Sequence, residues 1–431
     1  MTIALPAIAI VAATAVLGRS DLSRPQVVLG VVWFSCVAVA QLHLTEAEAK
    51  WPLGFSAVVF GGGLAFMAAA AVATGTRPAR GAISAPRERY SARRMVLIAL
   101  VLMAGAVAGW IYKAHQFGGI PLFSEHIDIT RTRFRSATGE PTIPTWASAL
   151  TGGFYLALWL LIAAAALRWR SIGITRRALL VALCALCLLG VALDASRNQV
   201  LLAVFVPLVG GYLLAPRPTR RGAALRAASV TLVLAVVVGG GFVARLAQPA
   251  PSSGADTFTE HAQRQNGRAL RPLLPLYVNT VLPMDAYREL WGAFPDKAAW
   301  GRGAYSTESF PSAFFPSGKP HFGMVVSGQM GARKAPFWTV ATYQSRAYGD
   351  FGAGGVLGAS LLLGLLFGGA YRAGRAASGL WGAAIIGYVA YYTAFAAYDN
   401  LLSFTLIGVY DLAVLLAVQR VAERRLPPDV R

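Results

Sequence analysis

The chain has 431 residues, of which 56% are hydrophobic and only 13% charged, roughly half the charged share of a soluble globular protein. That balance excludes an ordinary soluble enzyme and points to a membrane protein with several spans. The formal net charge of +20 invites a nucleic-acid reading. Most arginines, however, occupy short loops between apolar runs, where they set topology by staying on the cytoplasmic side. Nucleic acid is therefore not expected as a partner.

Taken in chain order, apolar runs predict eleven helices, at 3–18, 26–42, 53–74, 95–112, 148–167, 178–193, 199–215, 227–244, 352–371, 380–398 and 401–418. Several exceed the roughly 18 apolar residues that suffice to cross a hydrocarbon core. The first run lacks a basic lead-in and flows into a second span, so no cleavable signal peptide is expected. Alternate loops carry the positive charge: Arg19 and Arg24, then Arg77 to Arg94, Arg168 to Arg177, Arg217 to Arg226, Arg372 and Arg375, and finally Arg420 to Arg431. These loops are expected to be cytoplasmic.

The other set is expected outside: the opening stretch, an outer loop at 113–147, the turn at 194–198, a long loop at 245–351 and the turn at Asp399-Asn400. The expected fold is an all-α polytopic membrane protein, a single integral membrane domain over 1–431. It has about eleven (10–12) transmembrane helices, with the large extracytoplasmic loop between the eighth and ninth. Trp51, Trp110, Trp146 and Trp169 fall near predicted helix ends, as interfacial aromatic anchors do.

Charge concentrates in one outer stretch, "GGIPLFSEHIDITRTRFR" (118–135), which holds His126, Asp128, Arg131, Arg133 and Arg135. Guanidinium groups present planar forks that match phosphate oxygens bidentately. The rigid Gly-Gly-Ile-Pro turn beside them suits a loop that re-enters the membrane interface in a fixed shape. The competing reading is a solvated basic loop touching anionic membrane lipid.

A second candidate is "LDASRNQVLL", where Asp194 and Arg197 interrupt a long apolar stretch. Ser196 as a cap places Arg197 at the start of the next helix, where free N–H groups and the macrodipole favour an anion. The competing reading is that any hairpin needs polar turn residues. The long outer loop offers His261, Glu260, Glu308 and His321 as possible general bases, and spacing does not choose among them.

Cys36, Cys184 and Cys187 lie in apolar runs and read as packing residues, not as a metal or redox site. Asp411 sits within the last span, where a carboxylate is either functional or paired with a buried arginine or tyrosine. Gly354/Gly358 and Gly364/Gly368 give two small-xxx-small spacings, the pattern of close helix packing. No phosphate-binding loop, zinc-ligand array or Ser-His-Asp signature is present. Any reaction is therefore expected outside, on a pre-activated, lipid-linked donor.

Four stretches together resemble the oligosaccharide repeat-unit polymerases, or O-antigen polymerases (Wzy-type), which are related to the O-antigen ligases. They are "GGIPLF" with Arg131 and Phe134, "SRNQVLL", the late outer loop, and "YGDFGAGGVLGASLLLGLLFGG" (348–369). The resemblance implies a metal-independent glycosyltransferase, without cofactor, that joins polyprenyl-diphosphate-linked oligosaccharide units outside the cytoplasmic membrane. A chain-length regulator and a flippase are the partners it implies.

Carried onto this chain, Arg131 and Arg197 match the role of stabilising the diphosphate leaving group, with Arg133 and Arg135 as supports. Tyr348 and Asp350 match the later motif and are expected substrate contacts. Asp128 or His126 is the expected acceptor base, and Asp194 and His321 are further substrate contacts. His321 is only a loose match to the late-loop histidine of the ligases. A ligase or another lipid-dependent glycosyltransferase, and a flippase for lipid-linked oligosaccharide, are the competing functions.

Overall fold

The computed structural model describes residues 3–18, 21–43, 50–75, 90–117, 119–120, 145–193, 197–214, 274–307, 341–377, 379–398 and 401–422, with short pieces between 322 and 329. In chain order the helices are α1 (Ala4–Gly18), α2 (Pro25–Ala40), α3 (Leu53–Thr74), α4 (Ala92–Phe117), α5 (Thr145–Thr151), α6 (Gly153–Arg168) and α7 (Ile174–Ala192). They continue with α8 (Arg197–Leu214), α9 (Leu274–Trp291), the single turn α10 (Ala304–Thr307), α11 (Tyr343–Ala377), α12 (Gly379–Phe395) and α13 (Leu401–Ala422). No β-strand occurs among the described residues.

Among the described residues, five stretches are long and apolar enough to cross a membrane: Leu53–Thr74, Ala92–Gln116, Ala149–Arg168, Ile174–Ala192 and Tyr343–Ala377. Ala4–Val16, Pro25–Ala40 and Gln199–Leu214 are shorter apolar helices. The described residues are all-helical, with several helices long and apolar as in a membrane-embedded protein. The helix expected at 227–244 lies outside the described residues.

The chain divides into two compact units. The first contains α1, α2, α3, α9, α10, most of α11, and the adjoining ends of α12 and α13. Pro25 opens α2 at a position where its missing N–H costs nothing, and Gly75 closes α3 with φ of 76°. Trp33, Phe34, Phe55, Phe66 and Tyr287 are the large side chains at the centre, all fully buried. Trp33 meets Tyr343 edge-on with ring centroids 5.1 Å apart, and Phe55 meets Tyr287 at 4.9 Å. The helix α9, which comes from the long loop, packs against α2 and buries Val281, Leu282, Met284 and Ala286.

The two glycine spacings in α11 separate into different roles. A Cβ on Gly364 would collide with the Phe66 carbonyl, and one on Gly368 would reach the Ala70 carbonyl at 2.7 Å. Those glycines let α11 lie on the backbone of α3. No described residue comes within 4 Å of a Cβ placed on Gly354 or Gly358, so among the described residues that spacing is not a packing seam. Gly364→Val is expected to lower the melting temperature of the purified protein by several degrees, because a backbone carbonyl cannot step aside. Gly358→Ala should melt at or slightly above the wild-type temperature, through its better helix propensity. Equal melting of the two variants would remove this assignment.

The second unit holds α4 to α8, the first part of α12 and the last part of α13. Its central element is α6, which packs against α4, α7 and α8. It is apolar all round, and most of its side chains are buried. Glycines again allow close approach: a Cβ on Gly153 would stand 2.7 Å from the Leu102 carbonyl, and one on Gly387 2.8 Å from that of Val206. Trp110 is buried within α4 rather than at its end, because the helix continues to Phe117. Trp146 and Trp169 do lie exposed at helix ends.

Candidate functional site

Of the residues singled out from the sequence, His126, Asp128, Arg131, Arg133, Arg135, Asp194 and His321 lie outside the described residues. Arg197 is the first residue of α8. Tyr348 and Asp350 are described fully, and they form the heart of a built site in the first unit.

Helical backbone runs through α11 from Tyr343, nine residues before the expected start, but it is broken at Phe351 (φ −142°, ψ 16°) and Gly352 (φ 65°, ψ −154°). Residues 343–350 therefore form a separate helical piece, and the long apolar helix begins where the sequence predicts it. A left-handed φ at the second break position requires glycine or a strained substitute.

Asp350 is 2% exposed. Its Oδ1 accepts the Tyr305 N–H at 3.0 Å and its Oδ2 the Ser306 N–H at 2.7 Å. These are among the N–H groups that the turn α10 cannot satisfy within itself. The backbone repeats the clamp: the Gly301 N–H donates to the Gly349 carbonyl at 2.9 Å, and the Arg302 N–H to the Asp350 carbonyl at 3.3 Å. Gly301 leaves no room for a Cβ, which would collide with the Asp350 carboxylate. Asp350 is thus a positioning residue, with both oxygens committed to residues 301–306.

Tyr348, also buried, stacks on Trp291 with centroids 4.7 Å apart and planes 21° apart, and its hydroxyl donates to the Trp291 carbonyl at 3.4 Å. Phe294 stacks on Trp300 at 5.3 Å, and Trp300 meets Tyr348 edge-on at 5.8 Å. Burial pushes the Tyr287 phenol, 5.9 Å ring to ring from Tyr348, well above its ordinary value, so this hydroxyl stays neutral. The result is a rigid aromatic block that joins α9, the 294–305 segment and the start of α11.

Arg346 joins the site without any advance sign in the sequence. Its Nη1 donates to the Tyr305 carbonyl at 2.9 Å, and its guanidinium lies over the Phe322 ring at 4.9 Å. It stands two residues before Tyr348, but an arginine following "YQS" has no local feature to distinguish it. Arg302 is exposed, with a left-handed φ of 52°. The chemistry available here is recognition: aromatic faces suit sugar rings, and guanidinium groups suit anions.

The second unit contains a separate buried polar group. Asp411, fully buried in α13, accepts hydrogen bonds from the hydroxyls of Tyr155 and Tyr388, each at 2.9 Å. Of the partners open to it, tyrosine is the one realised. Lys113, also buried, donates to the Thr151 hydroxyl at 2.9 Å and lies 5.3 Å from the Trp110 ring. The apolar run alone puts Lys113 beyond a helix end; α4 carries it inside. Cys36, Cys184 and Cys187 are free thiols within helices α2 and α7.

The chain matches no family model, no curated protein and no solved structure.

Proposed function

We propose that this protein is an oligosaccharide repeat-unit polymerase of the cytoplasmic membrane, working at the extracytoplasmic face. It moves a growing glycan from its polyprenyl diphosphate to a hydroxyl of the next lipid-linked unit. In this reading eleven helices span the membrane, and the loops at 113–147 and 245–351 lie outside. The observation that carries the reading is the "YGDFG" stretch, the most specific element of the resemblance. It lies where a long apolar helix begins and where an aromatic, arginine-bearing segment is clamped against that start.

The chemistry asks for little else. The leaving diphosphate gains negative charge in the transition state, and fixed cations stabilise it where water is excluded. Arg131 and Arg197 are assigned that role, with Arg133 and Arg135 beside them, Asp128 or His126 as acceptor base, and Asp194 and His321 as substrate contacts. Tyr348 and Asp350 hold the wall of the site rather than the reacting atoms.

The test uses a strain lacking the gene, complemented with wild type, Arg131→Ala or Arg197→Ala, with the glycan resolved by size. The expected result is long chains only with wild type, and single lipid-linked units in the deletion and both variants at equal membrane abundance. Repeat units trapped on the cytoplasmic face would make the protein a flippase. Long chains left on the lipid and never transferred would make it a ligase.

A further inference from the structure

Resting on that reading, we infer that Phe351, Trp300 and Arg302 form a docking patch for the sugar-diphosphate headgroup of a lipid-linked unit. The patch stands out because the backbone departs from its easiest course at several adjoining points to make it. Phe351 is thrown out of the helix by the break and is 60% exposed, although its neighbours Tyr348 and Asp350 are buried. Across from it, Arg302 holds φ at 52° and Gly303 at 96°. A left-handed backbone is strained for an arginine where it would not be for a glycine.

These elements are tied to one another. The Arg302 N–H is bonded to the Asp350 carbonyl at 3.3 Å, next to Phe351. A Cβ on Gly303 would stand 3.6 Å from the Phe351 ring, and one on Gly352 3.5 Å from the Trp300 ring. Two aromatic residues that are at least partly exposed and an exposed arginine are therefore held side by side through their backbones at the head of a membrane helix.

Strain kept in place by a clamp, with the strained side chain left at the surface, is the pattern of a residue held for a ligand. The mixture of chemistries names the ligand. Aromatic faces take the apolar face of a sugar ring, while a guanidinium fork takes diphosphate oxygens. An apolar lipid surface alone would have no use for Arg302. At the start of a spanning helix the patch lies at headgroup depth, where the diphosphate of a lipid-linked unit resides.

The strain supplies a variant that separates folding from binding. Arg302→Gly deletes the guanidinium and relieves the left-handed φ, so the protein should melt no lower than wild type. The same variant, full-length in nanodiscs of zwitterionic lipid, should capture undecaprenyl diphosphate about tenfold more weakly, from the loss of charge-assisted hydrogen bonds. Phe351→p-benzoylphenylalanine, irradiated in cells, should crosslink to glycan-bearing lipid.

Unchanged capture by Arg302→Gly, or crosslinks from position 351 to phospholipid only, would overturn the inference. The outcome is separable from that of the function itself. A deletion that shortens the glycan while Arg302→Gly and Phe351→Ala leave full-length chains would reject the patch and keep the polymerase. A deletion without effect on glycan length would reject the polymerase.

Discussion

Replacing Asp350 with alanine is expected to cost about 3 kcal/mol or more, since two charge-assisted hydrogen bonds are lost and two N–H groups lose their carboxylate acceptor. The Tyr305 and Ser306 N–H groups bond to Asp350 from 45 and 44 positions away in sequence. Loss of those bonds leaves the segment held to the start of α11 by the backbone bonds of Gly301 and Arg302, and loosens residues 303–306 with the carbonyl that Arg346 engages. Limited proteolysis should then cut within 303–307, where wild type resists, and on the proposed polymerase reading the glycan should shorten.

Asp350→Asn keeps one acceptor oxygen but turns an amino group toward the other N–H, so it should lose a comparable part of the stability. A nearer variant, Gly301→Ala, attacks the clamp from the opposite side and should give the same proteolytic pattern. Resistance to cleavage in all three variants, with wild-type melting, would show that the carboxylate does not hold this segment.

The Asp411 cluster should behave in the opposite order from what a residue-by-residue view suggests. Removing both phenol hydroxyls by Tyr155→Phe with Tyr388→Phe strands a fully buried carboxyl group, at about 1–3 kcal/mol for an unsatisfied buried polar group. Asp411→Leu removes the costly group itself and leaves two phenols, each worth about 0.6–2 kcal/mol of hydrogen bonding in a membrane. The double phenylalanine variant should therefore melt lowest, and adding Asp411→Leu to it should restore most of the loss.

That rescue identifies the cluster as a packing device whose three members must be polar together or apolar together. It should leave glycan length unchanged in the rescued protein. A rescued protein that folds but no longer supports long chains would instead give Asp411 a role in the reaction cycle.

Much of the helical layout is legible in the apolar runs. The expected segments at 53–74, 148–167, 178–193 and 199–215 differ from the observed helices by a few residues at most ends, or not at all for α3. Apolar length is a local property, and in a membrane the backbone must satisfy itself within the segment, so length and hydropathy decide the helix. The start of the long apolar helix at Gly352 and the start of α8 at Arg197 are legible for a similar reason: glycine and the turn residues before an apolar run act on their own neighbourhood.

Partnership is not legible. Nothing near Asp350 indicates that it bonds residues 305 and 306, and nothing near Asp411 indicates Tyr155, 256 positions away. Two glycine pairs of α11 share one spacing, yet Gly364 and Gly368 face the backbone of α3 while no described residue approaches Gly354 or Gly358. Lys113 reads as a loop residue until α4 is seen to extend past it and bury it. Local chemistry along the chain was enough to mark which stretches are helical and which are too apolar to leave the membrane. Folding in three dimensions chose which polar groups neutralise one another and which, like Arg302, are left at the surface, because hydrogen-bond partners are set by proximity in space and not along the chain.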